Sequence, residues 1–355
     1  MDAAQATRTL RSAAELAAAG FVAPDRVPAL ARVAERYAVA ITPGLADLIG
    51  EAGPTSALAR QFVPQEAELD RDPSELADPI GDEAHAPVEG IVHRYPDRVL
   101  LKPVSACAVY CRYCFRRETV GPGKADALGP AALGRALDYI RQRPAIWEVI
   151  LTGGDPLVLS PRRLGGLMRD LAAIDHVRVL RIHSRVPVVA PERITDDLVA
   201  AMRPSGATTW LAVHANHPDE IGPAASGALA RLADAGVPLL GQSVLLRGVN
   251  DDPAVLEALL RRLVENRVKP YYLHHTDLAP GTAHFRTAIS DGQALMRALR
   301  GRVSGLCQPE YVIDIPGGHG KSPIGPRYLS EDDAEVLDWQ GVAHTCSAVV
   351  PDAAR

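Results

Sequence analysis

The sequence of 355 residues predicts an α/β fold, a partial, TIM-like (β/α)6 barrel with an N-terminal helical region and a small C-terminal extension. From Asp97 onward, short apolar runs of strand length alternate with helical segments, which is the pattern of parallel strands covered by helices. The hydrophobic fraction of 47% and the charged fraction of 23% are ordinary for a globular protein with one large or two modest domains.

Six apolar runs are candidate strands, and amphipathic segments lie between them. The predicted strands are 99–102, 148–152, 177–183, 208–214, 238–246 and 269–274. The clearest predicted helices between them are 131–141, 161–173 and 254–264. Six such units make an open barrel, and in βα barrels the chemistry lies at the C-terminal ends of the strands.

The chain divides into three predicted parts. Residues 1–92 form the helical region and a linker or lid, 93–305 the partial barrel, and 306–355 a C-terminal segment with a lysine-bearing turn and a tail. No internal repeat is present, so the barrel units are predicted from their alternation alone.

Within the N-terminal part, apolar residues recur at helical spacing over 13–19 and 27–37. Thr42 followed by Pro43 predicts a helix start with threonine as the N-cap. The stretch 63–92 is rich in Pro, Asp and Glu and has no periodicity, so we expect a connecting segment that lies over a surface, or a lid.

Composition narrows the class of partners. A formal net charge of −5 and a pI near 6.1 argue against a nucleic-acid partner. No stretch has the length of a signal peptide core or a membrane span, which predicts no membrane partner and a cytoplasmic protein. Five cysteines, three of them clustered, do not form a disulfide framework.

Cys107, Cys111 and Cys114 have the spacing C-x3-C-x2-C, while Cys307 and Cys346 lie far away in sequence. Three thiolates this close can converge on one metal centre. A single zinc ion usually needs a fourth protein ligand, whereas a four-iron cluster on three cysteines keeps one iron open. The alternatives are a structural zinc site closed by a distant histidine, or three buried thiols without metal. The tight spacing favours the cluster.

Lys321 ends the run Gly-Gly-His-Gly-Lys, and a lysine after a glycine-rich turn can bond covalently to an aldehyde. A phosphate-binding loop is the alternative, although the full P-loop context is missing. Asp277 follows the sixth strand and Asp314 precedes the glycine turn. Two carboxylates in one pocket are costly unless a cation lies between them. The alternative to a shared cation site is that Asp277 caps a turn and Asp314 forms a structural ion pair.

The cysteine motif after a strand resembles the signature of radical S-adenosylmethionine enzymes. The run from Cys107 to Arg117 resembles more narrowly the lysine 2,3-aminomutase family, and the resemblance covers residues 95–328. It implies the same partial barrel, a [4Fe–4S] cluster on the three cysteines, S-adenosylmethionine on the open iron, and pyridoxal 5'-phosphate on Lys321. The implied reaction moves the amino group of L-lysine from C2 to C3 and gives β-lysine.

The resemblance also implies roles for single residues. Arg116 matches the arginine that binds the substrate α-carboxylate, and Asp277 and Asp314 match the pair that holds the side-chain amine of lysine. Residues implied to lie near S-adenosylmethionine or the second cofactor are Tyr113, Gly153, Gly154, Asp155, Ser184 and Gln242. For Tyr113 simple packing stays open, and for Arg116 a solvated surface pair with Arg117.

Four histidines receive no role: His214, His217, His275 and His319. His214 and His217 could bind a metal, but polar lining of a barrel mouth is the expected role. His319 stands where the clostridial-type relatives have glycine. The longer family members carry a C-terminal cysteine cluster for zinc, and this chain has only Cys346 there, so we expect no zinc.

Other reactions stay open within this resemblance: modification of a lysine for elongation factor P, or an aminomutase for arginine or glutamate. An iron–sulfur or zinc-binding barrel without catalysis is the alternative from another class. The expected partners are a small amino acid substrate and an electron donor such as flavodoxin or ferredoxin. A homodimer is the expected assembly.

Overall fold

The computed structural model describes residues 8–120, 127–331 and 335–345, with one nine-stranded and one two-stranded sheet in this part. The strands are β1 (Ile91–Tyr95), β2 (Arg98–Val104), β3 (Glu148–Gly153), β4 (Val179–Ser184), β5 (Thr208–His214), β6 (Leu239–Val244), β7 (Val268–His274), β8 (Glu310–Ile315), β9 (Gly320–Pro323), β10 (Glu335–Leu337) and β11 (Ala343–Thr345). The helices are α1 (Ala13–Ala18), α2 (Val27–Arg36), α3 (Pro43–Ala52), α4 (Ala57–Phe62), α5 (Pro130–Arg141), α6 (Pro161–Ala172), α7 (Val186–Val189), α8 (Asp196–Ala201), α9 (Pro223–Asp234), α10 (Pro253–Glu265) and α11 (Ile289–Leu299).

The large sheet follows the chain in strict order from β1 to β9. Strands β2 to β8 are parallel, while β1 and β9 add antiparallel edges. The parallel strands are joined by helical crossovers, as an α/β barrel requires. The predicted fold class is confirmed: the protein is an α/β partial barrel.

The local sequence explains the elements. In α10, Leu256, Leu259, Leu260 and Leu263 are buried at the spacing of one helical face, and Asp252 caps the helix by accepting from the amides of its first turn. Strand β3 is buried over most of its length, since it lies between two neighbours in the sheet and under helices on its outer face.

All six predicted barrel strands are present, with ends that differ by two residues or fewer. The sequence did not indicate the edge strands β1 and β9, or that β8 continues the parallel sheet beside β7. Predicted helices 13–19 and 27–37 correspond to α1 and α2. The prediction for Thr42 is wrong in one respect: its hydroxyl makes no cap bond and donates instead to Val189 O.

Residues 63–92, here called the strap, lie along the rim of the barrel as a connecting segment with two short 3-10 turns. Leu76 N donates to Leu278 O at 2.8 Å, which ties the strap to the loop after β7. Glu75 accepts from Gly281 N at 2.9 Å and pairs with Arg286 at 3.3 Å. The strap is therefore docked at several points on the edge where the parallel strands end.

The predicted division at 92 and 305 stays a proposal. Strands β8 and β9 belong to the barrel sheet although they lie in the predicted C-terminal part, while β10 and β11 form their own sheet. Cys346 lies outside the described residues. None of the helices in the described ranges is both long and apolar enough to cross a membrane.

Candidate active site

The loop that carries the three cysteines follows β2 and is held by the N-terminal region. Tyr110 N donates to Ala40 O at 3.0 Å, and Arg112 N donates to Gln61 O at 2.8 Å. The fully buried Arg112 side chain also donates to Glu68 of the strap at 2.9 Å. The N-terminal helices thus form one wall of the cysteine loop.

The three thiols are free of disulfides and partly covered. Burial raises the pKa of Cys107 well above its ordinary value, and raises the pKa of Cys114 to about 11. The guanidinium of Arg185 donates to Cys111 Sγ at 2.9 Å. Across the described ranges, no three His, Cys, Asp or Glu side chains are arranged to hold a single metal ion.

Arg185 belongs to a buried polar network that sequence reasoning did not identify. Its second terminal nitrogen donates to Gln61 Oε1 at 2.7 Å and to Glu220 Oε2 at 2.6 Å. Asn216 donates to the same Gln61 oxygen at 3.1 Å. These partners come from α4 and from the segment after β5, and they fix the cation beside Cys111. No short sequence motif connects them, so only the fold reveals the network.

The glycine pair at the end of β3 is required by backbone packing. Gly153 has φ +105°, and a Cβ there would lie 2.7 Å from Val104 O. A Cβ on Gly154 would lie 2.7 Å from the carbonyl carbon of Ser105. Gly154 N also donates to Val104 O at 2.7 Å. The absence of side chains lets the start of the cysteine loop lie directly against this turn.

The Asp155 carboxylate is buried and fully engaged by the turn after β4. It accepts from Leu157 N at 3.0 Å, Ser184 Oγ at 2.8 Å, Arg185 N at 2.8 Å and Val186 N at 3.2 Å. Burial raises the pKa of Asp155, although these donors favour its charged form. The structure therefore brings Asp155 and Ser184 together, and their predicted contact with S-adenosylmethionine stays a prediction.

Tyr113 is packed among side chains. Its hydroxyl lies 2.7 Å from His214 Nε2 and accepts from Arg185, and its ring contacts His214 and Phe285 at centroid distances of 5.8 and 6.0 Å. This is the packing alternative, and an adenine contact stays a prediction. Gln242 is buried on β6, and its side-chain amide makes no hydrogen bond to a described residue.

Arg116 is oriented by two side chains. Its Nε donates to Asp82 of the strap at 2.8 Å, and its Nη1 donates to Thr152 at 3.3 Å. The alternative of a solvated surface pair with Arg117 is wrong. Arg117 is buried and pairs with Glu68, because the cysteine loop turns its side chain inward under the strap. Asp82 carried no signal in the sequence.

Lys321 and the two aspartates lie in one charged group. Lys321 Nζ donates to both oxygens of Asp314 at 2.6 Å, and His274 Nδ1 lies 3.3 Å from the same carboxylate. Although burial opposes ionisation, His274 and Lys321 hold the pKa of Asp314 well below its usual range. Asp314 therefore does form an ion pair, and its partner is the predicted functional lysine.

Asp277 behaves in the opposite way. Burial and the neighbouring charge of Asp314 raise the pKa of Asp277 to about 7, although Lys321 and Arg116 oppose the shift. Its carboxyl makes no hydrogen bond to a described residue, so it does not cap a turn. The charges of Asp314, Lys321 and Arg116 thus all act on the Asp277 carboxyl.

His183 on β4 is a further functional candidate, in a run (residues 181–185) that resembles family segments near S-adenosylmethionine and the second cofactor. Its Nε2 is buried without a hydrogen-bond partner in the described part of the chain. Burial lowers the pKa of His183 well below its usual value, and the nearby cations Arg181, Lys321 and Arg116 lower it further. A neutral imidazole nitrogen thus lies next to the charged group, and a buried unpaired polar atom is costly without a ligand.

The remaining histidines have local roles. His217 Nδ1 accepts from Asp219 N at 3.3 Å, His275 Nδ1 lies 2.8 Å from Tyr311 OH, and His319 is exposed in the glycine turn. With His214 bonded to Tyr113, none of these side chains meets another as a ligand pair.

Strap and barrel together hold the turn that carries Lys321. Lys321 N donates to Tyr95 OH at 2.7 Å, which links β9 to β1 across the opening of the sheet. His85 Nε2 donates to Gly318 O at 2.9 Å. A Cβ on Gly81 would lie 2.6 Å from the carbonyl carbon of Gly317. The strap thus contacts the lysine turn at Gly317 and Gly318, while Lys321 stays exposed.

Two family models match the chain. The model of the radical SAM superfamily covers residues 101–259, and the lysine-2,3-aminomutase model covers residues 296–347. The L-lysine 2,3-aminomutase of Clostridium subterminale is 42% identical over 90% of this chain and 77% of its own length. That of Fusobacterium nucleatum is 40% identical over 96% and 80%.

The chain belongs to the lysine 2,3-aminomutase family of radical S-adenosylmethionine enzymes. Its members are isomerases. The glutamate 2,3-aminomutase of Clostridioides difficile is 36% identical over 87% of this chain and 73% of its own length. A solved radical SAM methyltransferase from Sphaerobacter thermophilus aligns over 63% of this chain and 68% of its own, at TM-score 0.45 and 18% identity.

Enzymes of this family use a [4Fe–4S] cluster, S-adenosylmethionine and pyridoxal phosphate. The three free thiols of this chain fit such a cluster. Each cysteine of a [4Fe–4S] cluster binds a different iron, so three cysteines leave one iron open. A cationic donor at Cys111 suits a thiolate. At the other end of the site, the Lys321 amine and the unpaired His183 nitrogen fit an aldehyde-bearing polar group.

Proposed function

We propose that the protein is a pyridoxal-phosphate-dependent lysine 2,3-aminomutase that converts L-lysine to β-lysine. The amino group moves from C2 to C3 and a hydrogen atom moves from C3 to C2, so nothing is gained or lost overall. The cluster with S-adenosylmethionine supplies the hydrogen-abstracting radical, and pyridoxal phosphate supplies the conjugated system that lets nitrogen migrate.

One observation carries this proposal: Asp314 binds an ammonium group, and the buried Asp277 carboxyl is under the electrostatic influence of Asp314, that ammonium and Arg116. Asp314 already holds an ammonium group, that of Lys321, and Asp277 lies near it with a carboxyl that makes no hydrogen bond to a described residue. Arg116 lies near Asp277 and can bind a carboxylate. A molecule with an α-carboxylate and a distal ammonium matches this distribution of charge.

The same distribution separates lysine from the acidic alternative. The side-chain carboxylate of glutamate would lie beside Asp314 and Asp277, and like charges at short range disfavour binding. Arginine has a distal cation but a longer, planar one, and only the assay separates it from lysine. A lysine on a protein substrate is the remaining alternative, which supports the inclusion of elongation factor P in the test.

Several residues of this chain would bind and orient the substrate. Arg116 holds the α-carboxylate while Asp277 and Asp314 hold the distal ammonium, which fixes C2 and C3 between them. His183 offers a neutral nitrogen to a polar group of the bound molecule. The strap contacts the lysine turn and is the candidate lid that would keep water out of the occupied site.

Attachment of pyridoxal phosphate has its own test. Borohydride reduction of protein reconstituted with pyridoxal phosphate, followed by peptide mass spectrometry, should place a phosphopyridoxyl group on Lys321. Lys321→Ala should lose the adduct, and Lys269→Ala, which alters another lysine at the barrel, should keep it. A fully reconstituted protein without an adduct at Lys321 contradicts pyridoxal phosphate dependence.

Substrate choice is tested by an anaerobic assay of the reconstituted protein with S-adenosylmethionine and a reductant. L-lysine, L-arginine, L-glutamate, L-alanine and unmodified elongation factor P are offered separately, and β-amino products are measured by mass spectrometry. We expect β-lysine as the main product. A product from glutamate alone, or modified factor without free β-lysine, overturns the proposal.

The cluster needs an external one-electron donor, and we propose flavodoxin or ferredoxin for this role. We also propose a homodimer, which light scattering of the reconstituted protein can test. For Tyr113, Gly153, Gly154, Asp155, Ser184 and Gln242 we retain the proposal that they surround S-adenosylmethionine.

A further inference from the structure

Residues 78–85 of the strap, here called the bracket, touch both ends of the charged site. At one end Asp82 accepts from Arg116 Nε at 2.8 Å. At the other end His85 donates to Gly318 O at 2.9 Å, and Gly81 lies against the same turn. One short segment thus connects the arginine to the turn that carries the lysine.

Asp82 is the only acid that pairs with Arg116 among the described residues, and its surroundings are cationic. Arg94 Nη2 lies 3.5 Å and Lys102 Nζ 3.8 Å from the Asp82 carboxylate. Asp82 is buried, with 6% of its surface exposed. Burial opposes ionisation, but Arg116, Lys102 and Arg94 together hold the pKa of Asp82 below its usual value. Asp82 is therefore a charged acceptor in a group of three cations.

The bracket is stiff. Asp78 accepts from the amides of Asp82 and Glu83 at 2.9 and 2.8 Å, and Arg94 donates to Ile80 O at 2.7 Å. These bonds fix the backbone on both sides of Asp82. Its carboxylate is presented to Arg116 from a rigid turn, which is what an orienting group needs.

The two bonds of Arg116 leave one edge of the guanidinium open. Nε is used by Asp82, and Nη1 gives one bond to Thr152. No described residue accepts a hydrogen bond from Nη2, so the Nη1–Nη2 edge keeps two N–H groups for a bidentate acceptor. Arg116 also lines a cleft of about 50 Å³, whose other charged lining residues are Lys102, Asp78, Asp82, Glu83 and Glu118.

We propose that Asp82 is the positioning residue of the substrate carboxylate site. It holds Arg116 by the Nε edge, so that the Nη1–Nη2 edge faces the incoming carboxylate. Because the bracket also touches the lysine turn, it sets the distance between carboxylate and cofactor. This inference rests on the proposed function, in which Arg116 binds the α-carboxylate.

Asp82→Asn tests the inference in the reconstituted enzyme. The variant keeps the shape but loses the charge that fixes Arg116, and a small misplacement of a substrate-positioning group lowers the rate of the chemical step. We expect kcat for L-lysine to fall about tenfold or more. We expect KM to change by less than about threefold, because removing one anion from three cations favours a carboxylate and offsets the lost orientation.

Glu75→Gln is the matched control. Glu75 also anchors the strap, through Gly281 N and Arg286, but it does not touch Arg116. A purely structural role of the strap would lower thermal stability in both variants and change kcat equally. The inference requires that only Asp82→Asn shows the loss in kcat at nearly constant KM.

A second variant covers the case in which Asp82→Asn does not fold. Thr152→Val removes the other support of Arg116 from the barrel side, and we expect the same loss in kcat at nearly constant KM. Normal kcat in a folded Asp82→Asn protein, or an equal loss in Glu75→Gln, overturns the inference while the proposed function stands. A wild-type protein that converts no amino acid overturns both.

Discussion

The pKa values of the two aspartates in the charged site are shifted in opposite directions. The pKa of Asp277 is raised to about 7 by burial and by Asp314, so Asp277 is partly protonated at neutral pH. An ammonium ion is attracted to the ionised form only. Binding of a distal ammonium therefore weakens as the pH falls through 7, because more of the free enzyme carries a neutral Asp277.

This gives a prediction for the pH profile. We expect kcat/KM for L-lysine to decline below pH 7 with a limiting slope of about tenfold per pH unit, as for one essential ionisation of the free enzyme. Inhibition by L-norleucine, which lacks the distal ammonium, should not follow this decline. Asp277→Asn should remove the dependence, and a variant with an unchanged profile would contradict the assignment.

Stability gives a second, independent prediction for the same pair. The folded-state pKa of Asp277 exceeds the unfolded value near 4, so its contribution is favourable below pH 4 and is lost as the pH rises through 7. Asp314 has a lowered folded-state pKa, so its contribution is present above pH 4 and is lost in acid. The two carboxyls thus have opposite effects on stability at pH 8.

Asp277→Asn should therefore stabilise the protein without pyridoxal phosphate at pH 8. The unfolding free energy should rise by about 2 kcal/mol or more, since one pKa unit corresponds to about 1.4 kcal/mol, and the melting temperature should rise with it. At pH 5 the gain should be about a third of that at pH 8, because the folded carboxyl is then neutral while the unfolded one is still mostly ionised. Asp314→Asn should lower the melting temperature at pH 8. Calorimetry of both variants at the two pH values decides, and shifts of equal sign would refute the pairing.

Site residues that form short local motifs could be found from the sequence, and those that act through distant partners could not. Cys107 to Cys114 and the glycine-rich run before Lys321 are local patterns, so the sequence shows them directly. Asp82 and Arg185 act through partners 34 and 74 residues away. A contact between residues so far apart is created by the fold and leaves no periodicity or motif in the chain.

At the scale of elements, the N-terminal helices and the strap support the cysteine loop. Glu68 accepts from Arg112 at 2.9 Å and also pairs with Arg117, and all three side chains are completely buried. A buried acid between two buried arginines cannot be removed without leaving unpaired charge. The loop thus depends on a residue that lies outside the barrel.

Glu68→Gln should lower the unfolding free energy by about 3–5 kcal/mol, the usual cost of one broken buried pair, and should reduce iron and sulfide per chain after reconstitution. Glu66→Gln is the control two residues away, since its pair with Arg26 is exposed and contributes about 0–1 kcal/mol. Urea denaturation and iron analysis measure both effects. Equal stability of the two variants would show that the buried pair has no special role.

Strong periodicity made most elements predictable. The parallel strands are continuous apolar runs because both faces are covered, and their ends were predicted closely. Strands β1 and β9 were not predicted, because edge strands of four or five residues with half-exposed side chains lack that signal. The Thr42 hydroxyl was misassigned since Val189 O, a distant acceptor, competes for it.

At the scale of the whole molecule, the partial barrel has two free edges, β1 and β9, that meet at the lysine turn. Tyr95 on β1 accepts from Lys321 N, and the strap contacts the same turn from outside. The connection between the ends of the sheet is therefore made by side chains and by the strap instead of a strand ladder. The site is formed where the sheet does not close.

Gly81 tests this closure. It has φ +69°, and a Cβ would lie 2.6 Å from the carbonyl carbon of Gly317, so Gly81→Ala should push the strap away from the lysine turn. Gly20 is a matched control, because it has φ +78° and a Cβ added there would have no described heavy atom within 4 Å. Both variants have the conformational cost of a left-handed alanine, about 1 kcal/mol, but only Gly81→Ala adds a backbone clash.

We expect faster hydrogen exchange in the strap and in 315–321, and weaker retention of pyridoxal phosphate on dialysis, for Gly81→Ala alone. Equal exchange and equal retention in the two variants would show that contact with the strap does not hold the lysine turn in place in solution.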